Sequence, residues 1–173
     1  SNGFEVTNFQ VEDKIQSSPI ISDINLDGSS EIIFGTNNGK LYCLNFKSDS
    51  LYNADGWPVD FGNVSIKSSP VVHDLDGNRF LEIIFGLSNG KIYALNFNGS
   101  IYPGFPSFVS GPVESSFSID DIDGDNDLEI ASVGSSELIL IDVKDQGGKG
   151  GFWNMDRGGP YRQGVISEIN LSP

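Results

Sequence analysis

Three stretches of this chain are versions of one another, and that recurrence limits the possible folds more than any other feature. The segment SSPIISDINLDGSSEIIFGTNNGKLYCLNF begins at Ser17, SSPVVHDLDGNRFLEIIFGLSNGKIYALNF at Ser68, and SSFSIDDIDGDNDLEIASVGSSELILIDV at Ser115. The offsets between them are 51 and 47 residues. A second landmark keeps a similar spacing: Gly56-Trp57-Pro58, Gly104-Phe105-Pro106 and Gly151-Phe152-Trp153. Two independent landmarks with one period indicate a tandem array of like units, each needing its neighbours to bury an apolar face.

Within each unit the pattern predicts strands. Pro19 to Ile24 and Pro70 to Leu75 are short and β-branched, and Glu31 to Phe34 and Glu82 to Phe85 each end at a glycine, Gly35 or Gly86. Asn38-Gly39 and Asn89-Gly90 are hairpin turns, because Asn and Gly tolerate positive φ. Lys40 to Phe46 and Lys91 to Phe97 form a third strand, and a fourth surrounds each Gly-aromatic marker. No segment holds a helical period. Four short strands in roughly 45–50 residues match one blade of a β-propeller. The expected fold is therefore all-β: three four-stranded antiparallel blades at approximately 13–61, 62–109 and 110–164, then a tail at 165–173. Propellers close with about 4–8 blades, so three leave open ends. Self-association through those ends is expected, or cover by the terminal segments Phe4 to Val11 and Tyr161 to Ile169.

Between the first two strands of each unit lies an acidic loop of nine positions. The first runs Asp23, Asn25, Asp27, Ser29 and Glu31 at positions 1, 3, 5, 7 and 9. The second places Asp74, Asp76, Asn78, Phe80 and Glu82 there, and the third Asp121, Asp123, Asp125, Asp127 and Glu129. Side-chain oxygens at alternate positions can wrap a hard cation, with the backbone carbonyl of position 7 filling a gap. Calcium takes 6–8 oxygens in irregular geometry, whereas magnesium holds its waters in an octahedron. Zinc would want His or Cys. Asp, Asn and Gly also make good turns without any metal. Three such loops in register, each packing several carboxylates, make that simpler explanation the weaker one. Arg79 stands where the first loop has Gly28 and the third Asn126, so the second of up to three calcium sites is expected to be the weakest.

The opening D-x-[DN]-x-[DN] is shared with EF-hands, but the closing acid comes at position 9 instead of 12 and strands flank it. The spacing resembles the FG-GAP (VCBS-type) repeat of integrin α-subunit propellers and of many bacterial secreted proteins. Asp23, Asn25, Asp27, Gly28 and Glu31 carry the match in the first loop, and Asp121, Asp123, Asp125 and Glu129 in the third. The segment from Trp153 to Gly164 is similar to one that often ends such propellers, with Trp153, Met155, Arg157, Arg162 and Gly164 matching. The resemblance implies a calcium-stabilised, non-catalytic module that binds a protein or glycan. It would lie outside the cell, at the cell surface or in the periplasm, as the C-terminal part of a longer propeller.

Composition narrows the alternatives. A net charge of −14, from 24 acids against 10 bases, speaks against nucleic acid as a partner. No apolar run approaches the roughly 20 residues of a membrane helix. Ser1-Asn2-Gly3 offers no signal core, so any leader is expected outside the given sequence. Cys43, the lone cysteine, aligns with Ala94 and reads as a core thiol. His73, the lone histidine, occupies an ordinary strand position beside Asp74, without G-x-S-x-G or H-E-x-x-H. The glycine-rich stretch from Gly147 to Gly151 lacks the order of a phosphate loop. Two rival readings remain: an ancillary propeller of a secreted enzyme, and a quinoprotein-type propeller. Gly90 to Leu95 fits the latter's repeat ending, but the acidic loops do not belong to it.

Overall fold

The computed structural model describes residues 5–147, the side chains of Asp145 and Gln146 excepted. Among these residues the fold is all-β, with no helix. The first sheet holds β1 (Ile20–Ser22), β2 (Glu31–Gly35), β3 (Lys40–Lys47), β4 (Ser50–Asn53) and β5 (Val59–Asp60). They run antiparallel in the order β1-β2-β3-β4, and β5 pairs with the start of β3. The second sheet is β6 (Val71–His73), β7 (Glu82–Gly86), β8 (Lys91–Leu95) and β9 (Ser107–Phe108), in that order. The third is β10 (Ser118–Asp120), β11 (Asp127–Val133) and β12 (Leu138–Gln146).

Register is the same where the sequence recurs. Ser22 faces Glu31, His73 faces Glu82 and Asp120 faces Glu129. The serines that open each segment explain themselves: Ser17, Ser68 and Ser115 donate their hydroxyls to the carbonyls of Gly35, Gly86 and Val133, 18 residues on in every case. Each ties the lead-in of a sheet to the end of its second strand.

Two details depart from four strands per unit. The first sheet gains β4 because Ser48 and Asp49 both take positive φ, 53° and 59°, and fold β3 back on itself. A two-residue turn without glycine gave no signal in the sequence. The third sheet shows three strands among the described residues, and the third Gly-aromatic marker, at 151–153, lies outside them, as do Met155, Arg157, Arg162 and Gly164. The other two markers place Gly56 and Gly104 at φ of 85° and 86°, ahead of cis Trp57-Pro58 and Phe105-Pro106 bonds.

One apolar core runs through all three sheets. It contains Ile33, Leu41 and Cys43 from the first, Ile84, Phe85 and Ala94 from the second, and Ile119 and Ile130 from the third. Cys43 and Ala94 are both fully buried, as their shared small slot predicts, and burial pushes the Cys43 thiol well above its ordinary pKa. Such a thiol is protonated and inert. Aromatic contacts join the sheets: Phe61, after β5, meets Phe85 and Tyr93, and the Trp57 indole N–H donates to the Phe97 carbonyl at 3.2 Å. The outer face of the first sheet is covered by the chain's own start. Phe9 and Val11 pack on Phe34, Tyr42 and Leu44, with the Phe9 ring edge-on to Tyr42. This half of the end-covering expectation falls on described residues except at Phe4; Phe4 and Tyr161 to Ile169 lie outside them.

Candidate metal centres

Each acidic loop joins the first strand of a sheet to the second, and its conformation follows from where glycine can be placed. Positions 4 and 6 both sit in the left-handed region. Position 4 is Leu26 (φ 59°), Gly77 (74°) and Gly124 (83°); position 6 is Gly28 (87°), Arg79 (80°) and Asn126 (75°). Each loop supplies one glycine to this pair and tolerates strain at the other position. Position 6 had been suspected from the sequence; position 4 had not, because the glycine moves from 6 in the first loop to 4 in the others.

The backbone is then fastened by the acidic side chains in one recurring pattern. The carboxylate at position 1 accepts the N–H of position 6 in all three loops, at 3.0, 3.0 and 3.2 Å for Asp23, Asp74 and Asp121. Position 3 accepts from position 5: Asn25 from Asp27, Asp76 from Asn78, Asp123 from Asp125. Position 5 accepts from position 7, whose residues are Ser29, Phe80 and Asp127. The closing glutamate reaches back to the N–H of position 2: Glu31 to Ile24 at 3.1 Å, Glu82 to Leu75 and Glu129 to Ile122 at 2.8 Å.

Some carboxylates are engaged at both oxygens, as Asp121 is by the Gly124 and Asn126 N–H groups, whereas Asp74 and Glu82 each keep one oxygen out of these bonds. In the second loop Asp74, Asp76 and Glu82 each bring a carboxylate oxygen within 4.8 Å of the others. Asp121, Asp123 and Glu129 do the same in the third. Two oxygens on opposite sides of a calcium ion, each at about 2.4 Å, would stand about 4.8 Å apart. Both groups could hold a metal ion. Asp74 Oδ1 and Glu82 Oε1 are buried and have no hydrogen-bond partner among the described residues. A buried anionic oxygen without a partner is costly, and a cation is the economical remedy. In the first loop Asn25 replaces the acid at position 3, and its amide lies 3.5 Å from Glu31 Oε1. The triad of acids is thereby reduced to the pair Asp23 and Glu31, with Asp27 nearby.

Asp125 is absent from the third triad, and Asn78 turns its amide to Asp76 at 2.9 Å. The side chains at position 7 also lie elsewhere. Ser29 is exposed, Phe80 stacks on Phe97 with ring centroids 4.6 Å apart, and Asp127 pairs with Lys144 at 3.4 Å. Any part they take in binding a cation runs through the main chain, as expected for that position.

Electrostatics mark the same sites. Burial raises Glu82 to about 8, reinforced by Asp76 and Asp74 and opposed by the Leu75 N–H. Burial likewise raises Glu31 to about 7, against the Ile24 N–H and with Asp27 and Asp23 adding to it. Burial lowers the pKa of His73, which keeps it neutral; its Nδ1 lies 3.2 Å from the Asp74 carbonyl.

Arg79 is the one bulky residue held at positive φ in these loops other than Leu26. Replacing it with glycine should relieve about 1 kcal/mol of backbone strain and remove a charge that opposes a cation. Arg79→Gly is expected to tighten cation binding at the second loop severalfold, read by calorimetric titration of the intact chain. Unchanged or weaker binding would show that neither strain nor charge limits that loop. No match to this chain is found among protein-family models or curated proteins.

Proposed function

We propose that this chain is part of a calcium-stabilised β-propeller of the FG-GAP type, a non-catalytic interaction module working outside the cell. The three sheets are its blades, and the loops at 23–31, 74–82 and 121–129 are its calcium sites. The observation that carries the reading is the pair of buried, unpartnered oxygens, Asp74 Oδ1 and Glu82 Oε1, beside Asp76. A hard divalent cation satisfies both and offsets the mutual repulsion of the carboxylates, so it would lock each loop between its strands. Calcium suits an all-oxygen set of irregular shape better than magnesium.

In this reading the cation is structural, and the partner, a protein or a glycan, binds on surfaces that the blades hold rigid. Affinity on the order of 10⁻⁴–10⁻³ M would match extracellular calcium. No helix among the described residues is long and apolar enough to cross a membrane. Calorimetric titration of chelator-treated protein tests the proposal. Calcium should bind at up to three sites with magnesium at least tenfold weaker, and Asp123→Ala should remove one site. Absence of calcium binding at 10 mM (about tenfold above the weakest affinity expected of extracellular modules) would overturn it.

A further inference from the structure

The chain leading into a sheet packs on the sheet before it. Ile66 lies on Gly35 and donates its N–H to the Thr36 carbonyl at 3.0 Å; Val113 lies on Gly86 and donates to the Leu87 carbonyl at 3.2 Å. Both seats need glycine, because a Cβ at either would overlap the incoming side chain. The buried stripe continues along the first strand of each sheet, through Pro70 and Val72 in the second unit and Phe117 and Ile119 in the third. Their counterparts in the first unit, Ile15, Pro19 and Ile21, are all exposed among the described residues, Ile15 at 47% and Ile21 at 57%. Yet this stripe is held as its buried counterparts are. The Lys14 carbonyl accepts the Asn37 N–H at 3.0 Å as that of Ser65 accepts Ser88 at 2.9 Å. Ile21 faces Ile32 across β1 and β2 as Val72 faces Ile83 across β6 and β7. The chain also arrives by the same route, since Phe9 packs on Phe34 and Tyr42 where Phe61 meets their counterparts Phe85 and Tyr93. Phe61 follows β5, which belongs to the sheet that seats Ile66.

We propose that the stripe Ile15, Pro19 and Ile21 is the docking surface for a further antiparallel sheet built like the first two, one with an aliphatic face and a second strand that closes on glycine. That sheet enters on the amino-terminal side of Phe9, and Ile15 seats on its glycine as Ile66 and Val113 seat on theirs. The surface therefore continues an interface that the chain already forms twice, between the first and second sheets and between the second and third. A second copy of the chain does not offer the same seat. Its Gly35 and Gly86 are occupied by its own Ile66 and Val113. Its third sheet has Val133 at that position, paired with Leu138 through a turn one residue shorter than those joining Gly35 to Leu41 and Gly86 to Ile92. A branched side chain standing where Val133 already fills the space would collide with it. None of this depends on whether the acidic loops hold a metal.

Thiol labelling of an extended chain tests the proposal. Residues 1–61 are placed ahead of residues 10–173, so that Phe61 of the added copy takes the place of Phe9 and a sheet carrying Gly35 precedes the stripe. Ile21→Cys is introduced only in the stripe so covered, and in the unextended chain for comparison; Cys43 is buried and protonated, a bystander in each. A maleimide should label Ile21→Cys readily in the unextended chain and at least tenfold more slowly in the extended one. Gly35→Val in the added copy, which reproduces Val133, should return the rate to within about twofold of the unextended chain. Equal rates in the two chains, protection that survives Gly35→Val, or an extended chain that does not fold cooperatively would overturn it. Slow labelling in the unextended chain would overturn it as well, and a dimer in sedimentation equilibrium would then assign the face to a second copy.

Discussion

Calcium is expected to raise the melting temperature of the chelated chain by about 5–10 °C for each loop it fills. A ligand at about a hundred times its dissociation constant adds about 2.7 kcal/mol to the native state, and each kcal/mol moves the midpoint by about 2–4 °C in a domain of this size. The effect should depend on pH in a direction the two closing glutamates set. Glu82 and Glu31, ordinarily near 4.5, are raised to about 8 and about 7 by burial and by neighbouring aspartates. The unfolded chain ionises them at the ordinary value, so between these limits the metal-free native state holds more protons. Their contribution is complete below about 4.5 and is lost as pH rises through about 7 and 8. The chelated protein should therefore melt lower at pH 8 than at pH 5.5. Calcium reverses the slope, because binding needs both groups deprotonated, and its increment should be larger at pH 8 than at pH 5.5. Glu82→Gln should flatten part of the metal-free slope and abolish the increment from the second loop. Scanning calorimetry at both pH values, with and without calcium, decides. A calcium increment equal at the two values would contradict the assignment of these carboxylates.

Why the loops were legible in the sequence, while their inner geometry was not, comes down to which contacts are local. The alternate-position oxygens are read directly, because each fastens a backbone N–H only two to seven residues away. The strands flanking them are equally local: Glu31 and Glu82 open β2 and β7, and Glu129 is the third residue of β11. What stayed hidden depends on torsion angles and on distant chain. Position 4 was missed because its glycine is replaced by Leu26 in the first loop. Asp125 at position 5 accepts the Asp127 N–H, and the group that could hold a metal is Asp121, Asp123 and Glu129. Strand β4 needed Ser48 and Asp49 at positive φ, which neither residue advertises. The cover of the first sheet by Phe9 and Val11 rests on contacts more than 20 residues apart, and only the open ends that three blades would leave pointed to it.

Gly39→Ala is expected to cost about 3 kcal/mol or more, a drop of about 6–12 °C in melting temperature. Gly39 closes the turn between β2 and β3 at φ 81°, a region that costs an L-residue about 1–2 kcal/mol. That strain alone would be modest. The larger part comes from what surrounds it: a Cβ there would overlap the Gly62 carbonyl and stand 2.8 Å from that of Val64. Both atoms belong to backbone, and this stretch is held on two sides. Phe61 N–H donates to the Gly39 carbonyl at 2.9 Å and Ile66 N–H to that of Thr36 at 3.0 Å. It cannot yield without dislodging Ile66, the residue that joins the first sheet to the second. Gly104 separates the two contributions, since it has φ 86° but no atom within 4 Å of a Cβ. Gly104→Ala should therefore show the torsional cost alone, about 1 kcal/mol and about 2–4 °C. Thermal or urea unfolding of both variants in saturating calcium makes the comparison. Equal losses would mean that the turn moves freely away from residues 62–64, and that the first two sheets are joined less rigidly than these contacts indicate.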